Sequence, residues 1–518
     1  MNLGREIFGY YSRLLFWMRH LHRYSTLAVA VLGALVASCS LKTDTPVVKP
    51  TSAPAPFTMS RDQAAFADDL QQRTFAYFWD TTDPRTCLAP DRWPSNPFSS
   101  IAATGFALTA YGVGAERGYV TREQAATRTL ACVEYYWNAK MGPAESGVAG
   151  HKGFFYHFLS YDGTRRGQTE LSSVDTTLLL GGILFAQSYY DRDNPTEARI
   201  RDLAERIYGR VDWTFMQRKA GDPPAANMPN SRGIAMGWKP ERGYEPHDWI
   251  AYDEGMLVYI LALGSPTYPV GKEAWDSGWA LGLGKRWGQF MGQEYEAFEP
   301  LFGHQYSHVW VDFRGITEPY IASRGIDYFE NSRRATLAHR AYGVANPENW
   351  KDYSGDIWGW TASDGPKGVD GLVVNGKPRQ FMTYSARGVS PMITRDDGTI
   401  VPTAAGGSVP FAPEVTIDAL MAMKEKYGDR LYTKYGFQDA INPSFTFQDQ
   451  RVTTGTVYPD IGWVARDHLG IDQGPILAMM ENHRSELIWK TMRRNPHIIR
   501  GLRRAGFSGG WLDQAPAE

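Results

Sequence analysis

Acids stand beside aromatic rings at several points of this sequence, each time near an apolar run or a Gly-rich connection. Glu170 and Asp175 lie in Thr-Glu-Leu-Ser-Ser-Val-Asp-Thr (169–176), just ahead of the apolar run Leu178–Phe185. Asp253 and Glu254 are adjacent in His-Asp-Trp-Ile-Ala-Tyr-Asp-Glu-Gly (247–255), which leads into Met-Leu-Val-Tyr-Ile-Leu-Ala-Leu. One protonated and one ionised carboxyl group are the equipment of general acid–base catalysis. Cleavage of a glycosidic bond uses them in that way: one protonates the leaving oxygen, the other activates water or attacks the anomeric carbon. Glu170, Asp175 and Glu254 are therefore the candidate catalytic carboxylates. A local rival exists, because Ser172-x-x-Asp175 also reads as a capping box with an acid suited to the helix dipole. Capping accounts for Asp175 and leaves Glu170 unexplained, and two neighbouring acids at 253–254 exceed what a dipole requires.

Further polar and aromatic residues cluster in the same way. They are His151, Tyr156 and His157 in Gly-His-Lys-Gly-Phe-Phe-Tyr-His-Phe (150–158), with Trp249, Tyr252 and Asp253 in the second motif. His304, Gln305 and His308 fall in Gly-His-Gln-Tyr-Ser-His-Val-Trp-Val-Asp (303–312), and Trp358, Trp360 and Asp364 in Trp-Gly-Trp-Thr-Ala-Ser-Asp-Gly-Pro (358–366). Glu414 follows Pro413, and Asp472 stands in Gly-Ile-Asp-Gln-Gly-Pro (470–475). Flat rings with polar tips suit sugar faces, and the turn-rich 358–366 segment reads as a sugar platform. These fourteen positions are the candidate substrate-binding residues. Asp472 is also expected to cap a helix that starts at Pro475. His304 and His308 have a spacing that binds zinc on a helix, but no glutamate follows His304 and the flanks read as loop. Sugar hydrogen-bonding is favoured there, and neither a metal nor a cofactor is expected.

Other classes are disfavoured. There is no phosphate-cradling Gly-rich loop, no Gly-x-Ser-x-Gly elbow and no Cys-x-x-Cys pair. A net charge of -2 supplies no basic surface for nucleic acid. The 17 Trp and 28 Tyr among 518 residues favour carbohydrate, although most such rings must be core.

The elements that would position these groups are helices. Apolar periodicity and capping signals predict them at Ser60–Trp79, Ser99–Arg117, from the capping box Thr121-x-x-Gln124 through Trp137, Ser172–Tyr190, Pro195–Met216 and Trp249–Leu263. Others follow at Lys272–Gly292, Ile326–Val344, Pro413–Tyr427, Gly474–Arg494 and Pro496–Ala505, with Val369–Val374 a strand. About eleven helices without a composition break predict one all-α domain over 60–510 and a short tail at 511–518. By analogy, paired helices closed into an (α/α)6 toroid are expected, with a pocket at one end. Ahead of the domain, Thr26–Ser38 is apolar, too short to span a bilayer, preceded by basic residues and ended by Val-Ala-Ser-Cys39. That pattern resembles a lipobox. It predicts a signal peptide over 1–38 with translation starting at Met18, lipidation of Cys39, and a Pro/Thr/Ser-rich tether over 39–59. The expectation is an exported monomer held at the membrane by its lipid only, periplasmic or at the cell surface, with Ser40 favouring the outer membrane. Export would permit a bridge between Cys87 and Cys132; two separately buried thiols fit equally well.

Taken in order, six of these motifs resemble the glucoamylase-like family of bacterial proteins, glycoside hydrolase family 144. They are 150–158, 170–176, Tyr-Asp-Glu-Gly (252–255) with Ala-Leu-Gly-Ser-Pro-Thr (262–267), 303–312, 358–366 and 470–475, and the likeness runs from about Phe66 to Phe507. The resemblance implies an (α/α)6 barrel that hydrolyses β-1,2-glucan with inversion, acting either within chains or by releasing sophorose; starch is then not the expected substrate. It implies Glu254 as proton donor and Glu170 or Asp175 as base for water. An α-glucan glucoamylase, a polysaccharide lyase and a non-catalytic glycan-binding lipoprotein are the alternatives. Clustered acids would repel a lyase's uronates, and a binding protein has no need of them.

Overall fold

In this computed structural model the described residues are 57–516. The expected signal segment, Cys39 and nearly all of the tether lie outside them. The longer helices are α1 (Arg61–Thr81), α2 (Ile101–Glu116), α3 (Arg122–Asn138), α4 (Ser173–Tyr189), α5 (Pro195–Gly209) and α6 (Met256–Gly264). They continue as α7 (Tyr328–Ala345), α8 (Pro413–Tyr427), α9 (Gly470–Arg484), α10 (Leu487–Met492) and α11 (Pro496–Ala505). The long connections carry two- and three-stranded antiparallel sheets, among them Leu171–Ser172 against Gly237–Lys239, and the hairpin Val369–Val374 with Lys377–Phe381. No helix among the described residues is long and apolar enough to cross a membrane. The chain from Arg61 on is one compact, helix-rich unit.

Two kinds of helix alternate along the chain. α2, α4, α6 and most of α9 are buried on every face, whereas α1, α3, α5 and α11 bury one face only. An apolar stripe with a polar reverse dictates the second behaviour, and an all-apolar surface the first. α2 packs against α4 and α9, α3 against α5, α6 against α11, and α1 against both α2 and α9. The α2–α4 contact is a backbone approach. A Cβ on Gly105 would sit 2.1 Å from the Leu178 carbonyl oxygen, and one on Gly182 would sit 2.0 Å from the Gly105 carbonyl oxygen. Gly182→Val must therefore push two buried helices apart, an overpacking cost of about 1–3 kcal/mol or more. A clear fall in Tm is expected by calorimetry, and an unchanged Tm would mean that the helices are not in backbone contact.

Capping chemistry sets several boundaries. Ser100, Thr121, Ser172, Asn194, Asp327 and Asn495 each accept from a backbone N–H of the first turn, and Thr121 with Gln124 forms the full capping box. Elsewhere the boundaries differ from expectation. Trp249–Gly255 is irregular, with Ala251 at φ +76°, so α6 starts only at Met256. The expected Lys272–Gly292 helix stops at Asp276. Glycines at 278, 282 and 284 then break it into a 3₁₀ turn and the strand Trp287–Phe290. The Pro195–Met216 run divides at Gly209, and Glu486 at φ +60° separates α9 from α10. His308 lies in a short helix, Tyr306–Trp310, not in a loop. Cys87 and Cys132 are bridged. The expected tail is packed: Gly510–Asp513 is helical, and the Trp511 indole donates to the Asp312 carbonyl at 2.8 Å.

Candidate active site

Buried acids fall into three groupings, each with a member at or just before the start of a helix, α4, α6 or α9. The first is built where the strand Leu171–Ser172 runs into α4. The His157 ring lies between two carboxylates, Nδ1 at 2.9 Å from Glu170 and Nε2 at 3.4 Å from Asp175. Phe158 stacks on that ring at 3.8 Å between centroids. Burial works against a charged imidazole, but Asp175 and Glu170 outweigh it and push His157 up to about 9. Glu170 stays below the usual glutamate range despite burial, because His157 pairs with it. Burial raises Asp175 against the pull of His157 and of the Ser172 hydroxyl, which donates to its carboxylate. Ser172 caps α4 by accepting from the Asp175 N–H at 3.0 Å, but the Asp175 side chain does not return the bond to the backbone as a capping box would. Capping therefore does not account for the Asp175 carboxylate.

This arrangement makes a pH-dependent contribution to stability. The folded-state value of His157 lies above that of a free histidine, so its contribution is complete below about pH 6.5 and is lost as pH rises through about 9. The Tm difference between wild type and His157→Gln is expected to be widest near pH 6 and to close toward pH 9 in thermal melts across that range. A gap that widens with pH would contradict an imidazolium bridge.

The second grouping is Asp253 and Glu254. Its loop is tied to the start of α4 by the Trp249 indole, which donates to Ser173 Oγ at 2.8 Å. Asp253 accepts from the Gly255 N–H at 2.8 Å, whereas Glu254 Oε2 is buried with no hydrogen-bond partner. Burial, then the neighbouring Asp253 and more distantly Asp175, push Glu254 well above the carboxylate range; burial likewise raises Asp253. Burial and Asp253 thus favour the protonated form of Glu254, the form a proton donor needs.

The third grouping joins Asp364, Asp439 and Asp472. Arg92 grips both Asp364 oxygens at 2.8 and 3.1 Å and pairs with Asp91 at 3.0 Å. The Asp364 N–H donates to Asp439 at 2.7 Å, and the Asp439 and Asp472 carboxyls meet. Burial raises both of the latter, and neither has a basic partner within ion-pair distance among the described residues. Asp472 sits inside α9, which begins at Gly470 with no side-chain cap, so the capping role expected for it is wrong. The buried Tyr306 phenol donates to the Ile471 carbonyl, next to Asp472, at 3.1 Å, and after burial it is Asp472, Tyr384, Glu254 and Asp175 that raise it.

Several sequence candidates are packed elsewhere. Trp358 and Trp360 are fully buried, with Trp360 bonded to the Tyr353 hydroxyl at 2.9 Å and edge-on to Tyr342. They are core, not a sugar platform. His304 and His308 are also fully buried, and burial pushes His304 down to about 3, so it is neutral. Gln305 is spent on Ala404 and Ser408, and Tyr252 stacks on Tyr328 and bonds Ser332. Tyr156 lies under Arg165, His151 packs on Phe215 and Trp238, and Glu414 pairs with Arg333 at 2.6 Å. Conversely, Asp439 and Tyr306 belong to the site and were not singled out. Asp439 lies in Phe-Gln-Asp-Ala-Ile-Asn, where nothing local distinguishes it from a turn aspartate.

A family model described as "Putative glucoamylase" matches residues 246–496. A curated relative from Parabacteroides distasonis, an exo β-1,2-glucooligosaccharide sophorohydrolase (non-reducing end), is 26% identical over 463 residues, 84% of this chain; the chain spans 57% of that relative's length. The crystal structure of a "putative glucoamylase" from Bacteroides uniformis is 31% identical, with a TM-score of 0.71 over 88% of this chain and 100% of that one. An endo-β-1,2-glucanase from Chitinophaga pinensis, in complex with sophorotriose and glucose, is 26% identical with a TM-score of 0.70, covering 88% of this chain and 100% of its own. With that identity to the B. uniformis protein sustained over its whole length, the chain belongs to the glucoamylase-like family.

Proposed function

We propose that this protein hydrolyses β-1,2-linked glucan with inversion at the anomeric carbon. The observation that carries the reaction type is Glu254: a buried acid whose Oε2 has no partner and whose burial beside Asp253 favours the protonated form, with Glu170 and Asp175 nearby paired to the His157 ring. In this reading Glu254 protonates the leaving glycosidic oxygen. Asp175, oriented by His157 and the Ser172 hydroxyl, takes the proton of the attacking water; Glu170 fixes His157. Glycosidic C–O cleavage, C–O formation from water and the two proton transfers then balance. Asp253, Asp364 and Asp472 are assigned to sugar hydroxyls. The choice of linkage is supported by the names of the Parabacteroides and Chitinophaga relatives, while the family's glucoamylase description favours α-glucan.

The finer architecture and address belong to the same proposal. Alternation of buried and amphipathic helices, with α1 at the N-terminal end packed on α9 near the C-terminal end, supports an (α/α)6 toroid. Cys39 at the end of an apolar leader supports an exported lipoprotein, held by its lipid at the periplasmic or outer face. Protein beginning at Ser40 is to be incubated with linear β-1,2-glucan and, separately, with soluble starch. Products are sized over time and their first-formed anomer is read by NMR. Shortening of β-1,2-glucan alone, with the α-anomer released first, is expected. Cleavage of starch alone would replace the substrate, retention would replace the water-activating base by a nucleophile, and binding without cleavage would establish a non-catalytic protein.

A further inference from the structure

Arg286 stands at the mouth of the β-hairpin Trp287–Phe290/Gln293–Glu296. Its backbone carbonyl accepts from the Ala297 N–H at 3.1 Å, which fixes it at the hairpin's base. Its guanidinium lies 5.7 Å from the centre of the Phe298 ring. Unlike Arg92, Arg218, Arg314 and Arg387, which are spent on carboxylates within 4 Å, Arg286 makes no ion pair at that range among the described residues. Its Nη1 is nevertheless enclosed, and it has no hydrogen-bond partner in the protein.

A buried, unpaired guanidinium N–H is costly, and such groups are nearly always satisfied by something. The acids in its field are Asp253, Glu254 and Glu296. Glu296 is already occupied by the Tyr320 hydroxyl and the Gly284 N–H. The segment that leads into Arg286 lies against the loop that carries Asp253 and Glu254: the Ala251 N–H donates to the Trp279 carbonyl at 3.0 Å, and a Cβ on Gly282 would sit 2.4 Å from the Ala251 Cβ. A neutral, hydroxyl-rich ligand fits what is left over, because an N–H of a guanidinium is a strong donor to a sugar oxygen.

We infer that Arg286 is a substrate-positioning residue: Nη1 donates to a glucan hydroxyl or ring oxygen in the sugar unit beside Glu254. The inference rests on the hydrolase reading above. Two consequences separate it from a merely structural role. Loss of the donor weakens substrate binding. Loss of the charge lets Glu254 keep its proton to higher pH, so the basic limb of the kcat/KM profile moves upward. Other charges around Glu254, namely Asp253 and Asp175, and the phenols of Tyr252, Tyr259 and Tyr306 near this pair, are untouched by the substitution.

The test compares wild type, Arg286→Gln and Arg286→Lys on linear β-1,2-glucan across the pH range, with calorimetric binding of a short β-1,2-gluco-oligosaccharide to each variant in an inactive Glu254→Gln background. For Arg286→Gln, a fall in kcat/KM and in affinity of roughly tenfold or more is expected, the size of one charge-assisted hydrogen bond. Its basic limb should lie at higher pH than the wild type's, and Arg286→Lys should restore the limb while recovering only part of the affinity. An active wild type whose Arg286→Gln variant keeps both affinity and pH profile overturns the assignment alone. The same holds if Arg286→Gln loses activity through a lowered Tm while Arg286→Lys, folded normally, shows a displaced limb. A wild type that neither binds nor cleaves β-1,2-glucan sinks the functional reading, and the assignment with it.

Discussion

Glu254→Gln is expected to lose roughly 10²- to 10⁴-fold in kcat on β-1,2-glucan, the contribution of a positioned general acid, with binding of a β-1,2-gluco-oligosaccharide preserved. Glutamine keeps the volume and the local packing of the side chain but has no transferable proton. The carboxyl is buried, its Oε2 has no protein partner, and burial together with Asp253 favours its protonated form; the substitution removes no ion pair, and Tm is expected to stay close to that of wild type. An aryl β-glycoside with a good leaving group needs no proton and should be cleaved by the variant at close to the wild-type rate. Reducing-end assays and calorimetry on the same preparation separate turnover from affinity. Near-normal kcat on the glucan would remove Glu254 from the mechanism.

The largest stability effect is expected at Arg387–Asp397. Arg387 is fully buried, and its Nε and Nη2 donate to the two Asp397 oxygens at 2.8 Å each. The remaining guanidinium hydrogens go to the carbonyls of Ser363, Met382 and Thr383. Asp397 also accepts from the Met382 and Thr399 N–H groups. Burial opposes its ionisation, but Arg387 holds the carboxyl below the usual aspartate range. Asp397→Ala would strand a guanidinium among carbonyls at a cost of about 3–5 kcal/mol. The expected result is a large fall in the denaturant midpoint, together with loss of activity, because Arg387 also reaches the Asp364 carbonyl at 3.3 Å. A paired Arg387→Met, Asp397→Leu variant should recover much of the stability, since removing both charges removes the stranded one. The depressed carboxyl further predicts that the wild-type advantage over that double variant is present at neutral pH and shrinks as pH falls through the aspartate range. A single variant as stable as wild type would contradict the geometry.

Helix type was legible wherever caps and periodicity agreed. Ser100, Thr121 and Ser172 start helices within two residues of their expected places, and Pro413–Tyr427 and Pro496–Ala505 coincide with expectation. It failed where apolar content imitated periodicity: Trp249–Gly255 is buried but irregular, held by Trp249 and Ala251, and a buried loop carries the same composition as a buried helix. Acids beside aromatics marked Glu170, Asp175, Asp253, Glu254, Asp364 and Asp472 because charge next to an apolar run is costly and needs a reason. The same signal misled at Trp358, Trp360, His304 and His308, where the rings turned out to be packing. Asp439 and Arg286 were illegible for the opposite reason. Each is ordinary in its own segment and acquires meaning only from residues far away in the chain.

That dispersal has a kinetic consequence. Arg92, His157, Glu254, Arg286, Asp439 and Asp472 come from segments hundreds of residues apart at the extremes, and α1 docks on α9 from the other end of the body. Helix pairs such as α2–α3 and α9–α10 form from neighbours, but assembling groups from such distant segments requires the long closures to have been made first. Catalytic competence should therefore be the last property gained on refolding, later than the recovery of helical circular dichroism. It should be the first lost when a single long connection is nicked by a protease, even while most of the helix remains.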